Sequence, residues 1–126
     1  MATAIVLRAG KVELNGELYD SAAGKAVAAV LPVRVKMARW GEEYYGGLAA
    51  ELKVPAGGET REVMAVGELA YWPPGNALCV FFGPTPVSEG DEPRAASPVH
   101  PVGMVRGNVA GLKKLGGAVE VVVERL

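Results

Sequence analysis

The sequence holds one cysteine, Cys79, and one histidine, His100. A lone cysteine excludes an intrachain disulfide, and within an apolar strand-like run it reads as a small buried hydrophobe rather than a redox centre. A lone histidine with no cysteine pair beside it matches none of the common zinc ligand sets, so neither a metal nor another cofactor is expected. Excess charge of one sign is also missing: thirteen basic side chains stand against fourteen acidic ones. No Lys/Arg block exists that could follow a phosphate backbone, which argues against nucleic acid as a partner. Half of the residues are hydrophobic, yet no run approaches the roughly 20 apolar residues of a membrane helix. The segment Met1 to Lys11 has no basic start before an apolar run of signal-peptide length, so the expectation is a soluble cytoplasmic protein with no membrane partner.

Catalytic signatures are scarce as well. Ser21, Ser88 and Ser97 are not in a G-x-S-x-G elbow, and no glycine-rich loop has phosphate-binding or dinucleotide spacing. The adjacent carboxylates Glu42 and Glu43 would point to opposite faces of an extended chain, so they do not converge on one bond. At 126 residues the chain has the length of one domain, expected to span 1–126.

Glycine and proline are abundant, with seventeen and nine, and they cut the sequence into the short segments of a mainly β domain. Thr3 to Arg8 and Lys11 to Leu14 read as short strands across Ala9-Gly10, with Asn15-Gly16 as a following turn signal. From Asp20 to Leu31 the period changes: Ala23, Ala26, Val27, Val30 and Leu31 share a helical face, Asp20 or Ser21 can cap it, and Pro32 stops it. This predicts a short helix plugging an open end of a sheet. Val33, Val35 and Met37 alternate with Arg34, Lys36 and Ala38 as a half-buried strand. Glu42 to Gly47 reads as a turn, Val54 to Glu62 as a loop and Gly83 to Pro101 as a longer loop, the last two being candidates to frame a site. Val102 to Val105 is expected as a short strand, Asn108 to Leu115 as a second short helix, and Ala118 to Leu126 as a closing strand with Val119, Val121 and Val123 on one face.

The densest aromatic segment is Gly67 to Gly83, G-E-L-A-Y-W-P-P-G-N-A-L-C-V-F-F-G. Two strand-like runs flank a stiff turn. Pro73 and Pro74 cannot sit in a paired central strand, while Gly75 and Asn76 tolerate positive φ.

With W-G-E-E at Trp40 to Glu43 and A-S-P-V-H-P-V-G-M-V at Ala96 to Val105, this segment resembles the small prokaryotic cyclophilin-like family, whose members are uncharacterised in function. The resemblance covers nearly the whole chain and implies a closed antiparallel β-barrel of about eight strands with one or two short capping helices. It does not carry activity with it. In true cyclophilins an arginine lies four residues before a glycine, and that place, counted from Gly41, is Met37; Arg39 lies two residues later. The family's glutamine and pocket phenylalanine fall at Ala77 and Cys79, which cannot do those jobs. His100 lies in V-H-P-V-G-M-V, similar to a cyclophilin H-V-V-F-G strand but one residue closer to its glycine.

The resulting expectation is a barrel that binds a small molecule or an extended, proline-containing peptide in a cleft bordered by Gly83 to Pro101, without ordinary prolyl isomerase activity. Tyr71, Cys79, Phe81 and His100 would line the cleft, with Arg39 and Glu42 at its rim. The alternatives are an atypical isomerase using Arg39 and an assembly partner acting through an outer apolar surface.

Overall fold

Alternating apolar residues need a surface to cover, and in the computed structural model they find it by closing on themselves. Residues 1–55 and 57–126 are described. The strands are β1 (Thr3–Ala9), β2 (Val12–Leu18), β3 (Val33–Arg39), β4 (Glu43–Gly47), β5 (Arg61–Val63), β6 (Glu68–Trp72), β7 (Ala77–Phe81), β8 (Arg94–Arg106) and β9 (Ala118–Arg125). They run in the order β2-β1-β9-β3-β4-β7-β6-β8, and β8 pairs back onto β2. Eight antiparallel strands thus form a ring, and β5 pairs with the first half of β8 outside it.

Side chains of one parity fill the ring: Ile5 and Leu7 from β1, Val35 and Met37 from β3, Leu78 and Val80 from β7, Val121 and Val123 from β9. Glu120 on β9 points to the other side and pairs with Arg34 on β3. Helix α1 (Ala22–Ala28), capped by Ser21 Oγ accepting from the Gly24 amide at 3.1 Å, adds Ala23 and Val27 to the same interior. The expected second helix is a 3-10 segment, Val109–Lys114, with Val109 and Leu112 buried.

All five residues of β7 are buried. A strand covered on both faces reads as a continuous apolar run, and β7 is covered because a second, smaller apolar cluster lies on the outside of the ring. Ala70, Cys79 and Phe81 form that cluster with Met64, Ala95 and Val99. Burying Phe81 there contributes about 2–3 kcal/mol.

Several segments differ from the expectation, each for a physical reason. Asn15-Gly16 is no turn: the chain reverses at Gly10, and Gly16 lies within β2 opposite Val105 of β8. A side chain at Gly16 would run into the Met104 carbonyl, so glycine there permits close approach of two strands. Glu43 to Gly47 is strand β4 rather than part of a turn, and the reversal is confined to Trp40–Glu43. The loop expected over Val54 to Glu62 ends in β5 from Arg61; Ala56 within it lies outside the described residues. Strand β8 begins at Arg94 despite Pro98 and Pro101. Pro101 pairs opposite Ala70 where the β6–β8 register shifts, a bulge where a missing amide is tolerated.

Candidate functional site

Strand pairing decides which side chains can meet. On β4 and β7, Glu43 lies opposite Phe81 and Tyr45 opposite Cys79; on β6 and β7, Ala70 lies opposite Cys79 and Trp72 opposite Ala77. Directly opposed residues share a face, so Glu43, Tyr45, Ala70, Trp72, Cys79 and Phe81 all project from the outside of the ring. Strand β8 pairs with β6 only from His100 onward, and its first half carries Ala95 and Val99 onto that outer face. Between them lies a cavity of about 300 Å³. Cys79, Glu43 and Tyr45 line one side, Ala95, Ala96 and Val99 the other, and Trp40 and Trp72 complete it.

The walls are held from behind. Trp72 donates its indole N–H to Ser97 Oγ at 2.7 Å, tying β6 to β8. Its benzo edge lies so close to Gly75 that a Cβ there would meet it at 2.9 Å, so the indole is pinned at both edges. The entry to β8 is fixed by Thr85, whose hydroxyl donates to the Arg94 carbonyl at 2.5 Å, and by Ser88, which donates to the Glu92 carbonyl at 2.5 Å. Arg94 turns its guanidinium to Glu92 at 3.0 Å and Glu89 at 3.5 Å. Trp40 and Glu43 are joined by two backbone hydrogen bonds across a turn in which Gly41 has φ 61°. That is a left-handed conformation glycine adopts at least cost, and Thr85 and Pro86 leave no room for a side chain.

Glu43 is the charged residue of the cavity. It is 5% exposed, and its Oε1 has no hydrogen-bond partner. Burial raises its pKa from the ordinary carboxylate range to about 7, with the Cys79 thiol beside it, a weak donor, acting in the opposite direction. The thiol in turn is pushed well above its ordinary value, first by burial and then by the Glu43 charge. No lysine or arginine lines the cavity among the described residues. The arrangement can shelter an apolar body, meet it with aromatic rings and offer one carboxyl group. Among the described residues, no three acidic, histidine or cysteine side chains gather to hold a metal, and no helix is long and apolar enough to cross a membrane.

The residues singled out from the sequence are split among three places. Cys79 lines the cavity and Phe81 packs in the apolar cluster of the same outer face. Tyr71 has the opposite parity and belongs to the interior, where it stacks on His100 at 6.4 Å. Its hydroxyl donates to Asn76 Oδ1 at 2.6 Å, and Asn76 also receives the Leu52 amide at 3.1 Å. His100 Nδ1 lies 3.0 Å from the Glu59 carbonyl. The pair therefore anchors segments 48–52 and 58–59 and does not reach the cavity.

Arg39 and Glu42 occupy a third place. The Arg39 guanidinium lies 5.2 Å over the Phe82 ring and donates to the carbonyls of Gly41 (2.8 Å), Lys113 (3.0 Å) and Leu115 (3.1 Å). Glu42 faces Lys113 at 3.6 Å and Arg39 at 3.9 Å. Together they fasten the 3-10 segment across the ring; they do not edge the cavity.

The cavity residues not singled out were Trp40, Glu43, Tyr45, Trp72, Ala95, Ala96 and Val99. The signal for two of them was on view in W-G-E-E, since a tight turn with glycine second sets its first and fourth residues side by side. Their neighbours come from strand register, which local pattern does not disclose.

The whole architecture has known counterparts. It is similar to the solution structure of the hypothetical protein AF2241 from Archaeoglobus fulgidus, with a TM-score of 0.71 and 33% identity over 99% of this chain and 95% of that one. No curated protein matches the chain significantly. The model of the family described as cyclophilin-like matches residues 3–124, from the start of β1 into β9, and with the closed eight-stranded ring this places the chain in the cyclophilin-like family.

Proposed function

We propose that the protein binds a small organic molecule in the cavity between β4, β7 and β8, and that it does not isomerise proline peptides through Arg39. The observation carrying this reading is Glu43: a buried carboxyl with an unpartnered oxygen, lining an otherwise apolar cavity. Leaving a buried polar group unsatisfied costs about 1–3 kcal/mol, more when it is charged. A donor or cation brought by a ligand offsets that penalty, and the aromatic and alanine walls suit an apolar body.

The absence of isomerisation is supported by the engagement of Arg39. Twisting a peptide bond through a barrier of about 18–20 kcal/mol requires a donor aimed at the prolyl amide. Here the guanidinium already serves three backbone carbonyls over Phe82.

Both parts are open to measurement. The chain has two tryptophans, and both line the cavity, so intrinsic fluorescence reports on this site. Titration with 3,3-dimethylbutan-1-ol, a neutral apolar probe, is expected to change that emission, and Ala96→Trp at the exposed wall to abolish binding by filling the space. Absence of binding by neutral and cationic probes alike would overturn the reading. In an NMR exchange assay on a proline peptide, the protein and its Arg39→Ala variant should show the same uncatalysed rate; acceleration lost in the variant would establish the isomerase alternative.

A further inference from the structure

We propose that the ligand of this cavity carries an alkylated ammonium group, held by the Glu43 carboxylate and by the rings of Trp40, Tyr45 and Trp72. The inference rests on the reading of the cavity as a small-molecule site and specifies its ligand. Three observations lead to it. The cavity brings three aromatic side chains and one carboxyl together in about 300 Å³. The carboxyl oxygen Oε1 is buried and unpartnered. No cationic side chain of the protein lines the space, among the described residues, and the nearby Arg94 is turned to Glu92 and Glu89.

Together they exclude two classes of ligand. An anion would meet Glu43 with no positive group to offset the repulsion. A neutral body would bind the walls and at most hydrogen-bond the carboxylate, leaving its charge, when ionised, without a counter-charge in a low-dielectric site. A cation answers both features, because the negative faces of indole and phenol rings attract it and the carboxylate neutralises it.

The kind of cation follows from hydrogen-bond capacity. A primary ammonium brings three donors, and the side chains lining the cavity offer few acceptors: the Glu43 carboxyl and, at the edge, the Tyr45 hydroxyl. The walls contributed by Ala95, Ala96 and Val99 offer no polar side chain. Unpaired N–H groups in such surroundings are penalised, whereas a tertiary or quaternary ammonium has one or none and presents methyl groups to the apolar wall. Trp72, pinned at both edges by Ser97 and Gly75, is in place before the ligand arrives, which reduces the ordering required on binding.

The test compares choline with its neutral isostere 3,3-dimethylbutan-1-ol, reading tryptophan emission and backbone NMR shifts. Choline should bind about tenfold tighter at pH 8, the preference should shrink in Glu43→Gln, and Tyr45→Leu, at a partly exposed position, should weaken choline more than the isostere. A peptide bearing trimethyl-lysine, run in parallel, separates a free ammonium ligand from one displayed on a protein, and preferred binding of either supports the proposal. Equal affinity for choline and the isostere would overturn the cation assignment while leaving the cavity reading intact. If neither probe binds, both readings fall.

Discussion

Glu43 on β4 and Cys79 on β7 meet on the outside of the ring, and burial holds both in their protonated forms more firmly than water would. The two groups differ in consequence, because only Glu43 is shifted into the neutral range.

The first prediction is a pH dependence of stability. The pKa of Glu43 rises from 4.5 to about 7 on folding, so between those values the native state binds the proton that the unfolded chain has released. Stability contributed by this group is therefore full below about pH 4.5 and falls as pH rises to about 7, by on the order of 3 kcal/mol. Glu92 acts in a separate window: its carboxyl is held down to about 2, chiefly by the Glu89 amide and then by Arg94, so its contribution is lost on acidification below the unfolded value. Urea unfolding from pH 4.5 to 8 should show the decline in the native protein and a flattened curve in Glu43→Gln. The same slope in both would refute the assignment.

Cys79 supplies the second prediction. It is 2% exposed, and its thiol is raised by burial, so the reactive thiolate is both scarce and hidden. Iodoacetamide should modify it slowly in the native protein and readily in urea, with the rate following the unfolded fraction. Rapid native labelling would mean that the outer wall formed by β8 opens on its own.

Arg39 is expected to matter for stability and not for ligand binding. Arg39→Ala removes three donor bonds to backbone carbonyls and the contact over Phe82, which should destabilise the fold by about 2–3 kcal/mol. Arg39→Lys should restore little, since one ammonium cannot reproduce a planar fork. Thermal unfolding gives the loss, and choline titration of the same variants should give unchanged affinity. A selective loss of affinity would place Arg39 back at the site.

These cases show which links were legible in the sequence. The alternation of Val33, Val35 and Met37, and of Val121 and Val123, is a local consequence of one buried face, and it identified β3 and β9 correctly. Arg39, two residues after Met37 on the same strand, shares its face and lies over Phe82. What local pattern could not supply is register between strands. Tyr71 and Cys79 look like partners in one aromatic hairpin, yet Cys79 pairs with Ala70 and Tyr71 with Leu78, which puts them on opposite sides of the sheet. Glu43 gives no outward sign of burial beside Glu42, because its surroundings come from β7 and β8, distant in sequence. The outer wall was hidden for the same reason: Pro98 and Pro101 suggested a loop, while the bulge that accommodates Pro101 depends on pairing with β6.

Gly16 offers the sharpest test of ring closure. The dipeptide Asn15-Gly16 has the local appearance of a hairpin turn, but its glycine is required by a contact nearly ninety residues away, where a Cβ would overlap the Met104 carbonyl and crowd Val105. Neither neighbour is the end of a flexible side chain; both belong to the backbone of β8, which is fixed on its other side by β6. Gly16→Ala must therefore force β2 and β8 apart and break the pairing that closes the ring, with a loss of about 3 kcal/mol or more, well above ordinary surface substitutions. Gly47→Ala is the control, since its Cβ would find nothing nearer than 3.7 Å. Hydrogen exchange should show amides of β2 and the second half of β8 losing protection together in the first variant and not in the second. Equal and mild effects of the two substitutions would mean that closure tolerates a wider β2–β8 spacing than the register implies.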